Sequence, residues 1–173
     1  SPEGGDRLSV QVAFYPFQFI AERVGGDAVT VTSLTAPGSE PHDLELTPRQ
    51  VAGLSTADLL VYQSGFQPAV DTAVEQAKPA RVVDTASFLT MLSASADGAE
   101  EPASGTDQRD PHTWLDPTNM ARIAEHVRDA LTEARGNLQT RIRRVQENDG
   151  KEIPRVVLST FHASKGLEWK HVF

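Results

Sequence analysis

The regular alternation of short β-type runs with proline-started helical stretches limits the fold of this chain more than any other feature. Leu8 to Phe14 (LSVQVAF) alternates apolar and polar residues, the period of a half-buried strand. Tyr15-Pro16-Phe17 breaks that period, and a proline in the first turn suits a helix to Val24 that Gly25-Gly26-Asp27 then ends. Ala28 to Leu34 (AVTVTSL) is β-branched and reads as a second strand. Thr47-Pro48-Arg49-Gln50 starts a helix to about Thr56: a hydroxyl cap, proline at the first position, and glutamine three residues after the cap. Leu59 to Gln63 is a short apolar strand, Ser64 to Pro68 a turn, Ala69 to Gln76 a helix, and Arg81 to Asp84 a fourth strand. Strands alternating with helices specify the α/β class, a three-layer lobe with a roughly four-stranded parallel sheet.

Beyond the fourth strand the character changes. Residues 93–109 (SASADGAEEPASGTDQR) are small and acidic with little to bury, the composition of a mobile loop. Thr118 is expected to cap a long helix to about Ala134, with Met120, Ile123, Val127, Ala130 and Leu131 along one face and His126 as an ordinary surface or boundary residue. Gly136 to Gly150 continues as a basic helix, and Arg155 to Thr160 (RVVLST) reads as an incomplete C-terminal strand segment. Residues 1–134 carry 8 Lys and Arg against 20 Asp and Glu, whereas residues 135–173 carry 8 against 4. That change of sign divides the chain into a lobe, 1–135, and a basic tail, 136–173.

Bulk properties exclude several classes. The formal charge of −8 argues against phosphate-backbone binding by the main lobe. With no cysteine there is no disulfide framework, thiolate zinc site or cysteine nucleophile. No apolar run approaches the roughly 18 residues of a spanning helix. The opening Ser1-Pro2-Glu3-Gly4-Gly5-Asp6 reads as a mature or trimmed start.

Two loops hold the chemistry. Pro37-Gly38-Ser39-Glu40-Pro41-His42-Asp43 and Asp110-Pro111-His112-Thr113-Trp114-Leu115-Asp116-Pro117 each set a histidine behind a proline and beside carboxylates. Imidazole nitrogen suits zinc and other divalent first-row ions, and a carboxylate completes such a set or orients an imidazole through its second nitrogen. Glu40 and Asp43 are the carboxylates at hand. The residues alone leave two readings open: metal ligation by His42 and His112, or structural turns in which each histidine bonds a carbonyl. A metal hydrolase using these histidines with Asp116 or Glu45 as base is a third reading, though no H-E-x-x-H pair is present.

From roughly Leu8 to Arg135 the chain resembles the N-terminal lobe of the zinc- and manganese-binding receptors of ABC importers. The resemblance rests on Phe14-Tyr15-Pro16, Ala21 to Asp27, the two histidine loops, Leu46-Thr47-Pro48, Ala57 to Tyr62 and Gly65-Phe66. It implies that His42 and His112 are the first two metal ligands, beside which the residues themselves offer Glu40 and Asp43 as carboxylate partners. The cargo implied is Zn²⁺ first and Mn²⁺ second, and the partner a membrane ABC permease. The setting implied is periplasmic or extracellular, with a lipid anchor compatible and no catalysis. Receptors of this kind have a second lobe that supplies a third histidine; His162, after the Arg155–Thr160 strand, resembles it. The residues that follow do not continue that pattern. Val157 to Phe173 looks instead like a strand-and-loop motif of UvrD/Rep-type DNA helicases, without any phosphate-binding loop. The expectation is therefore a receptor lobe joined to a helicase-like fragment. Apolar surface near the long helix, left by an incomplete second lobe, would favour self-association.

Overall fold

The computed structural model describes residues 7–91 and 110–148, with side chains described through residue 140. The expected mobile loop at 93–109, the expected strand at 155–160 and His162 lie outside the described residues. Four strands and four helices alternate: β1 Leu8–Val12, α1 Tyr15–Gly25, β2 Val29–Ser33, α2 Pro48–Thr56, β3 Leu59–Tyr62, α3 Pro68–Ala77, β4 Val82–Asp84 and α4 Pro117–Asn148. β1 is shorter than its apolar pattern. The Phe14 carbonyl already accepts the N–H groups of Phe17 and Gln18, so the chain turns into α1 there.

The strands form one parallel sheet in the order β2-β1-β3-β4. Val10 sits between Val31 on one side and Leu59 on the other, and Leu60 pairs with Val82. Parallel crossovers are almost always right-handed. The step from β1 to β2 and the step from β2 to β3 run in opposite directions across the sheet. That reversal puts α1 on one face and α2 with α3 on the other, the three-layer arrangement expected. Strands covered on both faces should be apolar throughout, and all four residues of β3 are buried. The reversal also opens a crevice beyond the carboxyl ends of β1 and β3, where open parallel sheets place ligands.

α4 adds Ile123, Val127, Leu131 and Ala134 to the same core, with Met120 and Ala130 half-buried beside it. One expectation changes here. Thr118 lies inside the first turn; its N–H donates to Asp116 Oδ1 at 2.7 Å, so Asp116 is the capping side chain. The expected basic continuation is part of the same helix, which runs through Gly136 to Asn148, although glycine costs about 1 kcal/mol against alanine in a helix.

The chain divides into two compact units, Ser1–Leu138 and Gln139–Phe173. The first holds the sheet, α1 to α3, most of α4 and both histidine loops; the described part of the second is the helical segment Gln139–Asn148. Among the described residues the exposed large apolar side chains are Tyr15, Phe19, Val24, Val82 and Leu115. Leu115 stands two residues before the start of α4. Tyr15 and Leu115 belong to the carboxyl end of the sheet. No helix among the described residues is long and apolar enough to cross a membrane.

Candidate metal centre

The loop after β2 is fixed at both ends before it reaches its histidine. Buried Thr35 donates its hydroxyl to the Ala13 carbonyl at 2.8 Å. Gly38, at φ 79°, supplies the left-handed residue of the turn that follows. At the far end Thr47 and Gln50 form the capping box of α2, and Gln50 Nε2 reaches back to the Leu34 carbonyl at 2.9 Å. Between these anchors the His42 N–H meets Glu40 Oε1 at 3.3 Å. Glu40 and Asp43 line a depression with Leu44, Glu45 and Gln50.

The loop before α4 is held by a different residue. Gln63, at the end of β3, donates Nε2 to the Pro111 carbonyl at 2.6 Å, and its Oε1 accepts the Thr113 hydroxyl at 2.6 Å. Asn119 adds a bond from α4 to the Thr113 carbonyl. His112 is then oriented by Asp110, whose Oδ1 receives the His112 N–H at 2.9 Å and lies 2.6 Å from His112 Nδ1. The backbone N–H of His112, and then its ring, hold the Asp110 carboxyl below the usual range. An ionised carboxylate only accepts, so the imidazole proton sits on Nδ1 and Nε2 keeps its lone pair for a metal. Sequence reasoning had looked to Glu40 or Asp43 for that orienting role. Asp110 was visible in its motif, two residues before the histidine, but the turn that folds its side chain back was not.

Beneath both imidazoles lies a platform of rings. Phe14 packs on Phe17, Phe66 and Trp114 with centroids at 4.6, 5.1 and 4.7 Å, and Phe66 meets Trp114 at 5.2 Å. His42 stands edge-on against Phe66 at 4.6 Å, and His112 against Trp114 at 5.2 Å. The two imidazoles, from loops seventy residues apart, face one another with centroids 5.7 Å apart. An ion held tetrahedrally by two ring nitrogens at about 2.0–2.1 Å sets the ring centres roughly 5 Å apart. The observed separation is close to that figure, with the ring planes edge-on at 61°. Both side chains are exposed, and an open cleft of about 500 Å³ adjoins His112, lined also by Asp110, Thr113, Asp116 and Asn119. Among the described residues no three His, Asp or Glu side chains stand at metal-holding distance. Asp116, a base in the hydrolase reading, is engaged in capping α4.

The sequence pattern of the ZnuA family, "Zinc-uptake complex component A periplasmic", matches residues 10–153. This chain belongs to that family. Among relatives of the ZnuA family, the zinc-binding lipoprotein AdcA of Streptococcus pneumoniae is 28% identical over 138 residues, spanning 73% of this chain and 26% of AdcA. The high-affinity zinc uptake system protein ZnuA of Bacillus subtilis is 31% identical over 131 residues, spanning 71% of this chain and 41% of its own length. The crystal structure of Zn(II)-bound AdcA from S. pneumoniae superposes with a TM-score of 0.60 at 26% identity, over 83% of this chain and 31% of that one. The chain thus spans well under half the length of these ZnuA-family relatives. Residues 155–173 lie beyond the family match.

Proposed function

We propose that this chain captures a divalent metal ion, Zn²⁺ first and Mn²⁺ second, as the receptor lobe of an ABC importer in the periplasm or anchored at the cell surface. One observation carries the proposal: His42 and His112, from opposite edges of the sheet, meet over the crevice with ring centres 5.7 Å apart. Membership of the zinc-uptake family and the Zn(II)-bound relative support Zn²⁺ as the cargo. His42 and His112 are the proposed direct ligands. Glu40 is a carboxylate candidate that needs a change of rotamer, since Oε1 now accepts the His42 N–H. His162 is the proposed third imidazole, on the strength of its position in the sequence. The division into a lobe at 1–135 and a basic tail at 136–173, with a helicase-like motif at 155–173, belongs to the same proposal and rests on sequence alone. The permease partner follows from the receptor role. Binding of this kind makes and breaks no covalent bond of a substrate.

Calorimetric titration with Zn²⁺ tests the reading. One site per chain is expected, with His42→Ala and His112→Ala each weakening affinity by at least about tenfold, the scale seen when even outer partners of a metal ligand are lost. Unchanged affinity in both variants would sink it.

A further inference from the structure

Two buried glutamines flank the turn between β3 and α3, and each is 2% exposed. Gln67 donates Nε2 to the Pro41 carbonyl at 2.8 Å and to Thr35 Oγ1 at 3.1 Å. Gln63 donates Nε2 to the Pro111 carbonyl at 2.6 Å, while its Oε1 accepts the hydroxyls of Thr85 at 3.2 Å and Thr113 at 2.6 Å. Each amide therefore holds the carbonyl of the residue immediately before one of the two facing histidines. The orientation of both amides is fixed, because a prolyl carbonyl accepts and never donates. Proline has no N–H, so that carbonyl is the one backbone group through which the position can be hydrogen-bonded. Burying two amides where apolar side chains would pack needs full hydrogen bonding to be tolerated. Phe66, on the turn between them, supports the His42 ring from below. One five-residue segment, from Gln63 to Gln67, thus touches both loops and the aromatic platform.

Resting on the metal-receptor reading, we propose that Gln63 and Gln67 are paired positioning residues, each setting one imidazole through the carbonyl before it and together fixing the gap the ion must fill. Neither touches the ion. Gln67 acts through His42, and Gln63 through His112. Loss of one amide frees one loop, widens the range of separations the imidazoles sample, and weakens binding without removing a ligand.

A crossed mutant cycle in the 173-residue chain, read by Zn²⁺ titration and by the visible absorption of bound Co²⁺, tests this. Methionine replaces glutamine at nearly the same volume without the amide, and circular dichroism checks folding. Gln67→Met should weaken Zn²⁺ binding about tenfold, as loss of an outer partner does, and should shift the Co²⁺ bands. The same change should have no further effect in a His42→Ala background, yet keep its full effect in a His112→Ala background. Gln63→Met should show the reverse dependence. Wild-type affinity in folded glutamine variants, alongside weakened histidine variants, overturns the positioning role and leaves the receptor reading intact. A loss that ignores which histidine is present likewise overturns it, since that is the mark of general destabilisation. If the histidine variants themselves bind as wild type does, the receptor reading fails instead. Should Gln63→Met not fold, the Gln67→Met arms decide alone.

Discussion

Asp110 is the residue whose small change should tell most about the site. Its Oδ1 serves both the backbone and the ring of His112, and those contacts hold its carboxyl below the ordinary range. A depressed value means the contact is whole above the usual carboxylate range and is lost as pH falls through the folded value. Asp110→Asn keeps the shape but not the charge, and should weaken Zn²⁺ binding about tenfold while leaving the thermal transition of the metal-free protein in place; equal affinity in a calorimeter would contradict this. Tyr62 behaves in the opposite sense. Burial first, then Asp84, Asp71 and Glu75, push its phenol up to about 12. Its contribution to stability is therefore complete below the unfolded value near 10 and disappears as pH rises through about 12. Tyr62→Phe should flatten the loss of urea resistance between about pH 9 and about pH 11.5, where the wild type declines. At this scale the sequence pointed to the two histidines whose rings the fold brings together, because proline and carboxylates beside an imidazole form a recognisable local pattern. It concealed Gln63 and Gln67. A glutamine at a strand end reads as ordinary polar punctuation, and only the fold reveals which carbonyl it reaches.

Among the elements, α2 was the most legible, since the bonds that start it lie within four residues. Thr47 Oγ1 accepts the Gln50 N–H at 3.3 Å and Gln50 Oε1 accepts the Thr47 N–H at 2.9 Å. Thr47→Ala should cost about 1 kcal/mol in denaturant unfolding, and a loss below a few tenths would show the cap to be idle. The same substitution should weaken metal binding little, because Gln50 still ties the loop to Leu34. α4 was legible in its buried face and its continuation, and not in its cap. Thr118 looks like a cap by residue type, yet Asp116 performs the task because Pro117 already occupies the first helical position. Gly136 lies within the helix, as the reading of a basic continuation from that residue expects; a single glycine far from a strong breaker need not end a long helix.

At the scale of the whole molecule, strand-and-helix alternation made the α/β class readable, whereas the strand order was beyond local pattern. That order, β2-β1-β3-β4, makes the site. The two histidines come after the edge strands β2 and β4 in the chain, and their rings meet 5.7 Å apart. An ion bridging loops from both edges should therefore stabilise the folded lobe as a unit. Zn²⁺ at about a hundred times its dissociation constant should add about 2.7 kcal/mol and raise the thermal midpoint. Protons compete for the same nitrogens, so the gain at about pH 7.5 should shrink markedly at about pH 5.5, where ordinary imidazoles are charged. A midpoint indifferent to Zn²⁺, or equally raised at both values, would contradict ligation by imidazole.

The ring platform has one more consequence. Trp114 lies with its indole 5.2 Å from the His112 imidazole and 4.7 Å from Phe14. The emission of an indole follows the charge and polarity of whatever faces it. An ion arriving on His112, as proposed, would change that neighbour directly. On the proposed receptor role, the lobe holds an optical gauge beside His112 that should report filling and emptying without any label.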